Sequence, residues 1–373
     1  MGVSICTKKP KSQAELAQSW VDGVQAQGLE TLVSNIQTQL KSFRLKDQVL
    51  PLTVNDSQWD NAYTCSPYTA YISYAREELD LIESKPLRLS LAMALNIAGG
   101  YLRLAQFNRV VQLNNWWVST HEWPLLSDAQ IQQMMRTLSA EYPSHALMMR
   151  GLNVFQHLDM MHSLEQQGFI LMPARQVYLF DGRNPDHFWK RNNTKNDMRL
   201  TRKTELTLFS PEDVREADFP AIHRCFKALF IEKHSSLNPQ FSEAYLRHMW
   251  AMGAYEFYGA RDESGDVVAV VALWQQDQVM SAPILGYRTD LPKSLGLYRL
   301  MVALVLQQTK ERAQVLNLSS GASAFKQSRG GKAEIEYTAL YVNHLKPIRR
   351  TLLKGFARLL ARFGAGFLQK HQL

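Results

Sequence analysis

The sequence predicts an α/β protein with mixed (α+β) sheets. It is built as two halves behind a helical N-terminal segment and closed by an amphipathic C-terminal helix. Three observations predict it. At 373 residues the chain exceeds one ordinary hydrophobic core, so two domains are expected. Apolar stretches of strand length alternate with stretches of helical period, and the alternation stops at a basic segment and then restarts. The last residues keep a helical period with cations recurring along one side.

In chain order, residues 12–45 read as helix, with "AELAQSWVDGVQAQGLETLVSNIQTQL" apolar at helical spacing. "SPYTAYISYAREELDLI" and "LRLSLAMALNIAGG" continue as mostly helical material around Pro67 and Pro86, and residues 1–85 form a mostly helical extension. Residues 86–185 form the first half. "RVVQLNNWWVS" reads as strand, "SDAQIQQMMRTLSAEYP" as a helix capped by Ser127, and "HALMMRGLN" as strand. "LDMMHSLEQQG" reads as a helix ended by Gly168, and "FILMPARQVYLF" as strand. Residues 186–203, with six Lys/Arg against two Asp, read as a basic connecting helix that opens a second half over 186–347. There "DFPAIHRCFKALFIEKH" and "NPQFSEAYLRHMWAMG" are helices. "AYEFYGARDESGDVVAVVALWQQDQVMSAPILGYR" is three strands, the first two joined by an Asp-Glu-Ser-Gly-Asp turn. "SLGLYRLMVALVLQQTKERA" is helix, "QVLNLSS" strand, "AFKQSRGG" a short helix and "EIEYTALYVN" strand. Residues 348–373 belong to the final helix. Ile348, Leu352, Leu353, Phe356, Leu359, Leu360 and Phe363 share one side, and Arg350, Lys354, Arg358 and Arg362 recur on the other.

Composition narrows the class. Hydrophobic residues at 46% and charged residues at 20% fit a soluble globular protein, and no apolar run is long enough to span a membrane. The N-terminal "MGVSICTKKPKSQAELAQ" lacks the apolar centre of a secretory signal. Cys6, Cys65 and Cys225 are scattered, which fits a reducing cytoplasm better than a disulfide framework or a zinc site. The net charge is +8, and no acidic residue follows Glu336. This balance favours an acidic partner: nucleic acid, an acidic carrier protein or the surface of an anionic membrane.

The element order of the second half resembles the GNAT acyltransferase fold. The resemblance implies a glycine-containing loop that binds a donor's pyrophosphate with the N–H groups of a helix N-terminus. "KSLGLY" stands there, with Lys293, Ser294, Gly296 and Leu297, and with Tyr298 where that family carries a small residue. Tyr298 disfavours free coenzyme A. An ordinary strand-to-helix turn is the plain alternative. "LNLSSGASAFKQSRGG" is more specific. A strand running into Gly321, then Phe325–Lys326 and a further Gly, resembles the second half of the FemAB-like aminoacyl-tRNA-dependent transferases. That family implies two GNAT-like halves and an activated donor.

The resemblance gives the candidate residues their roles. Acyl transfer to an amine passes through a tetrahedral oxyanion that a fixed cation can stabilise, and Lys326 is the candidate, facing the donor's carbonyl or phosphate. Ser319 and Ser320 are candidate proton relays, Gly321, Phe325 and Arg329 candidate donor contacts, and Glu232 and His234 candidate bases. For Lys326 and Arg329 a solvated helix face stays open, for Ser319 and Ser320 a turn role, and for Glu232 and His234 a solvated helix end. His157 and His162, five apart, do not stack on one helix face as metal ligands do. "NNWWVSTHEW" reads as core or as an acceptor wall. The expected activity is an N-acyltransferase with no tightly bound cofactor. It moves an acyl or aminoacyl group from aminoacyl-tRNA, an acyl carrier protein or, less readily, acyl-CoA to an amine. The alternative is a non-catalytic adaptor of the same fold that binds nucleic acid or an anionic surface, with peripheral membrane contact open to it.

Overall fold

A computed structural model describes residues 12–371, so Cys6 and most of the stretch read for a secretory signal lie outside the described residues. Helix α1 (Gln13–Gln27) starts where Ser12 and Glu15 cap each other reciprocally, and it stops at Gly28, whose φ is 82°. One turn, α2 (Leu29–Leu32), follows. The helix expected over 12–45 ends there, because residues 39–55 form a hairpin of β1 (Gln39–Leu45) and β2 (Gln48–Asn55). Lys46 turns it at a φ of 53°, without the glycine that would have marked the turn in the sequence. Between β2 and the next strand lie a π-helical turn (Thr69–Ser73), α3 (Tyr74–Glu78) and α4 (Lys85–Leu104). The half closes with β3 (Val110–Leu113), α5 (Asp128–Glu141), β4 (Ala146–Asn153), α6 (Val154–Gln166) and β5 (Ile170–Asp181). Ser127 caps α5 and Gly168, at φ 90°, follows α6, both as expected.

The basic connector forms α7 (Asp186–Trp189) and α8 (Asn192–Lys203). The second half then repeats the plan of the first. It begins with β6 (Thr207–Phe209), α9 (Phe219–Phe226), a π-helical segment (Lys227–His234) and α10 (Glu243–Ala251). It continues through β7 (Glu256–Arg261), β8 (Val267–Gln276), β9 (Val279–Tyr287), α11 (Leu297–Arg312), β10 (Val315–Asn317), α12 (Ser323–Ser328) and β11 (Lys332–Tyr341). α13 (Pro347–His371) ends the described chain.

The two halves share one mixed 11-stranded sheet, ordered β1-β2-β3-β4-β11-β5-β10-β9-β8-β7-β6. With the edge strand β6 set aside, the order reads alike from both ends. β3 pairs parallel with β4, and β9 with β10. The last strand of each half is exchanged: β11 pairs with β4 of the first half and β5 with β10 of the second, and β5 and β11 pair with each other antiparallel. The exchange is why the halves form one sheet and not two. It also places the first half's own start at α1, with residues 56–109 as an insertion.

One face of the first half packs under α5 and α6, and the opposite face is covered by the insertion and by α13. α13 buries Leu353 and Ala357, half-buries Leu352, Phe356 and Leu360, and leaves Ile348, Leu359 and Phe363 exposed, so its apolar side divides between core and solvent. Arg349 fixes its start by donating to four carbonyls, those of Ala105, Gln106, Arg109 and Ser144. Among the described residues no helix is long and apolar enough to cross a membrane.

Candidate functional site

The parallel strands β9 and β10 pair only from Val279/Val315 to Ser281/Asn317 and then part. β9 stays on β8, while the chain after Asn317 turns through Ser319 (φ 59°), Gly321 (φ 77°) and Ala322 (φ 49°) into α12. Two of these three left-handed residues carry side chains, so the loop needs outside support. Lys326 supplies it. Its ammonium donates to the carbonyls of Leu318 (2.8 Å), Ser319 (3.2 Å) and Ser320 (2.7 Å), and the residue is only 5% exposed. This corrects the expectation of a free cation: all three N–H donors of the ammonium are engaged. Burial, with the Arg175 cation nearby, pushes its pKa down to about 7. The three carbonyls favour the ammonium, since a neutral amine has only two N–H donors.

Arg329 is corrected in the same way. Its Nε donates to Asp197 Oδ2 (2.5 Å), the Nε of Arg299 donates to Oδ1 (2.7 Å), and Asp197 is 1% exposed. The guanidinium also lies 3.3 Å from the centre of the Phe325 ring. The cluster joins α8, α11 and the end of α12 with two guanidiniums on one carboxylate, and Arg329, 6% exposed and held by Asp197, is not free to reach a donor phosphate. Glu232 is exposed and pairs with Lys227. His234, at the segment's end, keeps part of its surface in solvent, and its pKa is lowered by the partial burial of the ring and then by Lys233 and Lys326. Neither residue lines the central cleft described below.

The turn before α11 keeps Lys293 and Ser294 exposed and Leu297 buried. Gly296 is left-handed (φ 63°), and a Cβ there would stand 2.7 Å from Leu200 of α8. No side chain caps the first turn of α11. Tyr298 packs on Phe325 (ring centres 4.8 Å apart). Lys195, Arg199, Arg202 and Lys203 of α8 are exposed, on the helix whose Leu200 meets this turn.

On the face of the sheet under the insertion, the exchanged strands floor a cleft that is partly open to solvent. Arg175 and Glu336 are register partners on β5 and β11 and pair bidentately (2.8 and 3.0 Å). Arg150 of β4, Gln112 of β3, Tyr71, Tyr74 and Glu78 of the insertion, and Ser320 line it with them. Glu78 is half-buried, and its pKa is raised to about 7 by burial and then by Glu77. Arg175 also donates to Ser319 Oγ (2.9 Å), which joins the cleft to the loop held by Lys326. Of the expected site residues, the cleft gathers Ser320 and, through Arg175, Ser319. Residues missed in the sequence do most of the lining. A signal for two of them was present: Arg150 and Arg175 are cations inside mostly apolar strands. Trp116, Trp117 and Trp123 are core, and His157 pairs with Glu122 (3.0 Å). Among the described residues no group of three or more His, Cys, Asp or Glu could hold a metal ion.

Comparison with known proteins places the second half. Residues 190–327 match the family description of an acetyltransferase (GNAT) domain. No curated protein matches the chain. Among solved structures, L-PGS from Bacillus licheniformis is similar at 14% identity, covering 63% of this chain and 78% of that one, with a TM-score of 0.45. FemX is similar at 9% identity, covering 58% and 78%, with a TM-score of 0.46. A tandem GNAT protein from the clavulanic acid biosynthesis pathway is similar at 10% identity, covering 62% and 75%, with a TM-score of 0.36. At these scores no residue's role is carried over from any of the three.

The Lys326 cage is testable. Lys326→Met leaves three carbonyls without their donor and should destabilise the protein by about 2–3 kcal/mol in urea unfolding, the usual cost of an unsatisfied buried group. A midpoint equal to wild type would mean that the loop does not depend on the ammonium.

Proposed function

With the second half a GNAT-type acyltransferase domain, we propose that this protein moves an acyl or aminoacyl group from a large activated carrier to an amine held in the central cleft. The observation that carries this reading is the meeting of two features at one loop: Ser320 lines the cleft, and the same loop leaves β10 where β9 and β10 part. The donor's phosphates lie at the uncapped N-terminus of α11, beside the exposed cations of α8. That cationic flank suits a polyanionic carrier such as aminoacyl-tRNA better than a small donor.

In the transfer, the amine nitrogen attacks the donor's carbonyl carbon. The tetrahedral oxyanion collapses, the carbonyl carbon's bond to the carrier oxygen (sulfur in a thioester donor) breaks, and that atom leaves with the electron pair and takes up a proton. Glu78 accepts the proton from the ammonium, because a carboxyl poised near 7 is suited to general-base work at neutral pH. Lys326 is a positioning residue. It fixes the loop that carries Ser319 and Ser320 and does not touch the substrate. Arg175 holds the same loop from the cleft side.

Two outcomes test this. Incubated with aminoacyl-tRNA or acyl-CoA and a pool of amines, the protein should release an amide detectable by mass spectrometry. Lys195→Glu with Arg199→Glu should weaken a tRNA donor and flatten its salt dependence, by roughly 0.7 to 0.9 log units per log unit of salt for each phosphate left without its cation. Amide formation from acyl-CoA alone, indifferent to that double change, would sink the tRNA assignment. For the base, Glu78→Gln should lower kcat/KM by about 100-fold or more and remove the rise in rate with pH centred near 7. The sign follows from a raised carboxyl pKa: the group is protonated and inactive as a base below about 7, and ionised above it. A variant that keeps the wild-type profile would remove Glu78 from the chemistry.

A specific surface favours a second contact, with an anionic bilayer. No acidic residue occurs between Glu83 and Glu122 or after Glu336, so α4 and α13 are both free of acids. The two helices touch where Tyr101 donates to the Leu352 carbonyl (2.7 Å). They expose Leu89 (66%), Ile97 (74%) and Phe363 (59%), with Lys85, Arg103, Arg358 and Arg362 also exposed. Exposed apolar side chains among unopposed cations match the interfacial layer of an anionic membrane. The protein should co-sediment with phosphatidylcholine vesicles containing phosphatidylglycerol and not with phosphatidylcholine alone. Leu89→Glu with Ile97→Glu and Phe363→Glu should abolish this. Binding indifferent to those changes, or a wild-type dimer that the changes split, would show that something other than lipid covers the face.

A further inference from the structure

The central cleft contains one cation that its surroundings do not neutralise. Arg175 is matched by Glu336, but Arg150 has no carboxylate within ion-pair distance among the described residues. Its guanidinium donates from one nitrogen to the Thr64 carbonyl (2.9 Å) and, at 3.5 Å, to Asn115 Oδ1, and it lies 5.8 Å from the centre of the Tyr63 ring. Two neutral polar atoms of the same cleft are buried: Gln112 Oε1 makes no hydrogen bond, and Tyr71 Oη has only the neighbouring Thr338 hydroxyl beside it. Gln112 is oriented by its own Nε2, which donates to the Cys65 carbonyl (2.7 Å). Folding leaves buried polar groups without partners only rarely, and such atoms beside a guanidinium with no carboxylate partner call for a polar occupant.

We propose, resting on the reading of this cleft as the acceptor site, that the acceptor is an amino acid or a close relative whose carboxylate seats on Arg150. The carboxylate accepts from the free N–H groups of Arg150 and from the Tyr71 hydroxyl, and an N–H or O–H elsewhere on the ligand donates to Gln112 Oε1. The ligand's α-amine, one carbon from that carboxylate, then faces the side of the cleft lined by Ser320 and Glu78. A phosphate fits less well. The cleft offers one unopposed guanidinium and no lysine among its lining residues, and Glu78 and Glu336 in its walls would repel a dianion. A planar carboxylate matches the fork of a single guanidinium. Burial lowers the pKa of Arg150, as an uncompensated cation requires, and a bound carboxylate would restore it. The product of the transfer is then an N-acylated amino acid.

The test separates binding from turnover. Calorimetry on the full chain, with no donor present, compares L-phenylalanine with phenethylamine and L-leucine with isoamylamine. Each amino acid should bind about 10- to 100-fold more tightly than its decarboxylated partner. Arg150→Gln should erase that preference, and Tyr71→Phe, which leaves the Thr64 contact in place, should reduce it by about 10-fold. Inorganic phosphate should not compete. Equal binding of amine and amino acid, a preference unaffected in both variants, or competition by phosphate would each overturn the proposal. Amide formation on carboxylate-free amines, unchanged in Arg150→Gln, would also overturn it while leaving acyl transfer intact. Carboxylate-selective binding with no amide from any donor would support the site and remove the transferase reading.

Discussion

The Arg175–Glu336 pair is the interaction on which the rest of this structure depends. It sits on the two exchanged strands, at register partners, so it closes the join where each half has passed its last strand to the other. One guanidinium also reaches the loop after β3, through the Ser119 carbonyl and Thr120, and the loop after β10, through Ser319 Oγ. Burial disfavours the charge on Arg175 and the Glu336 carboxylate more than restores it, so the cation is held raised. A buried ion pair contributes little net stability when compared with an apolar replacement, but breaking it costs several kcal/mol. Its value here is specificity of register: it admits one alignment of β5 on β11 and aims both loops.

The near-symmetry of the halves makes their differences informative. Each half has a parallel pair that parts, β3 from β4 and β9 from β10. In the first half the parting is filled by the chain's own residues. Trp123 donates to the Arg150 carbonyl (2.6 Å), Asn114 donates to the Glu122 carbonyl (2.8 Å), and the tryptophans of that segment are buried. In the second half the strands part toward a loop of left-handed residues that Lys326 supports from beneath. One parting is packed by tryptophans and the other is followed by a loop held by a buried cation, so a duplicated plan is finished differently in its two halves.

The alternation of strands and helices was legible because its periods are long and its caps, Ser127 and Gly168, use residues with one plain physical reason. The hairpin at 39–55 was not, since Lys46 makes the left-handed turn without the glycine that signals one, and β1, at the sheet's edge, has several exposed positions. Lys326 was found by its motif, but its partners were misjudged, because a lysine aimed at three carbonyls of its own loop has the same sequence signature as one aimed at a ligand. The cleft escaped for a different reason. Arg150, Arg175, Glu336 and Glu78 come from four segments that only the strand exchange and the insertion bring together, and Glu78 and Glu336 are each one of several charges in their own stretch.

The arrangement of charge across the sheet follows the same logic at larger scale. Cations near the turn before α11 are exposed on α8, where water screens them. Cations on the cleft side are buried, and their fates differ. Arg175 is neutralised and holds the architecture, and Lys326 is satisfied by carbonyls and holds the loop. Arg150 lacks a carboxylate partner in the same polar floor. Neutralising it with an acid on a neighbouring strand would have been the stable solution, as β11 supplies for Arg175. The absence of such an acid among the described residues around Arg150 leaves one position on that floor whose charge only a ligand can balance, and the neighbouring buried polar atoms of Tyr71 and Gln112 give that ligand its hydrogen bonds.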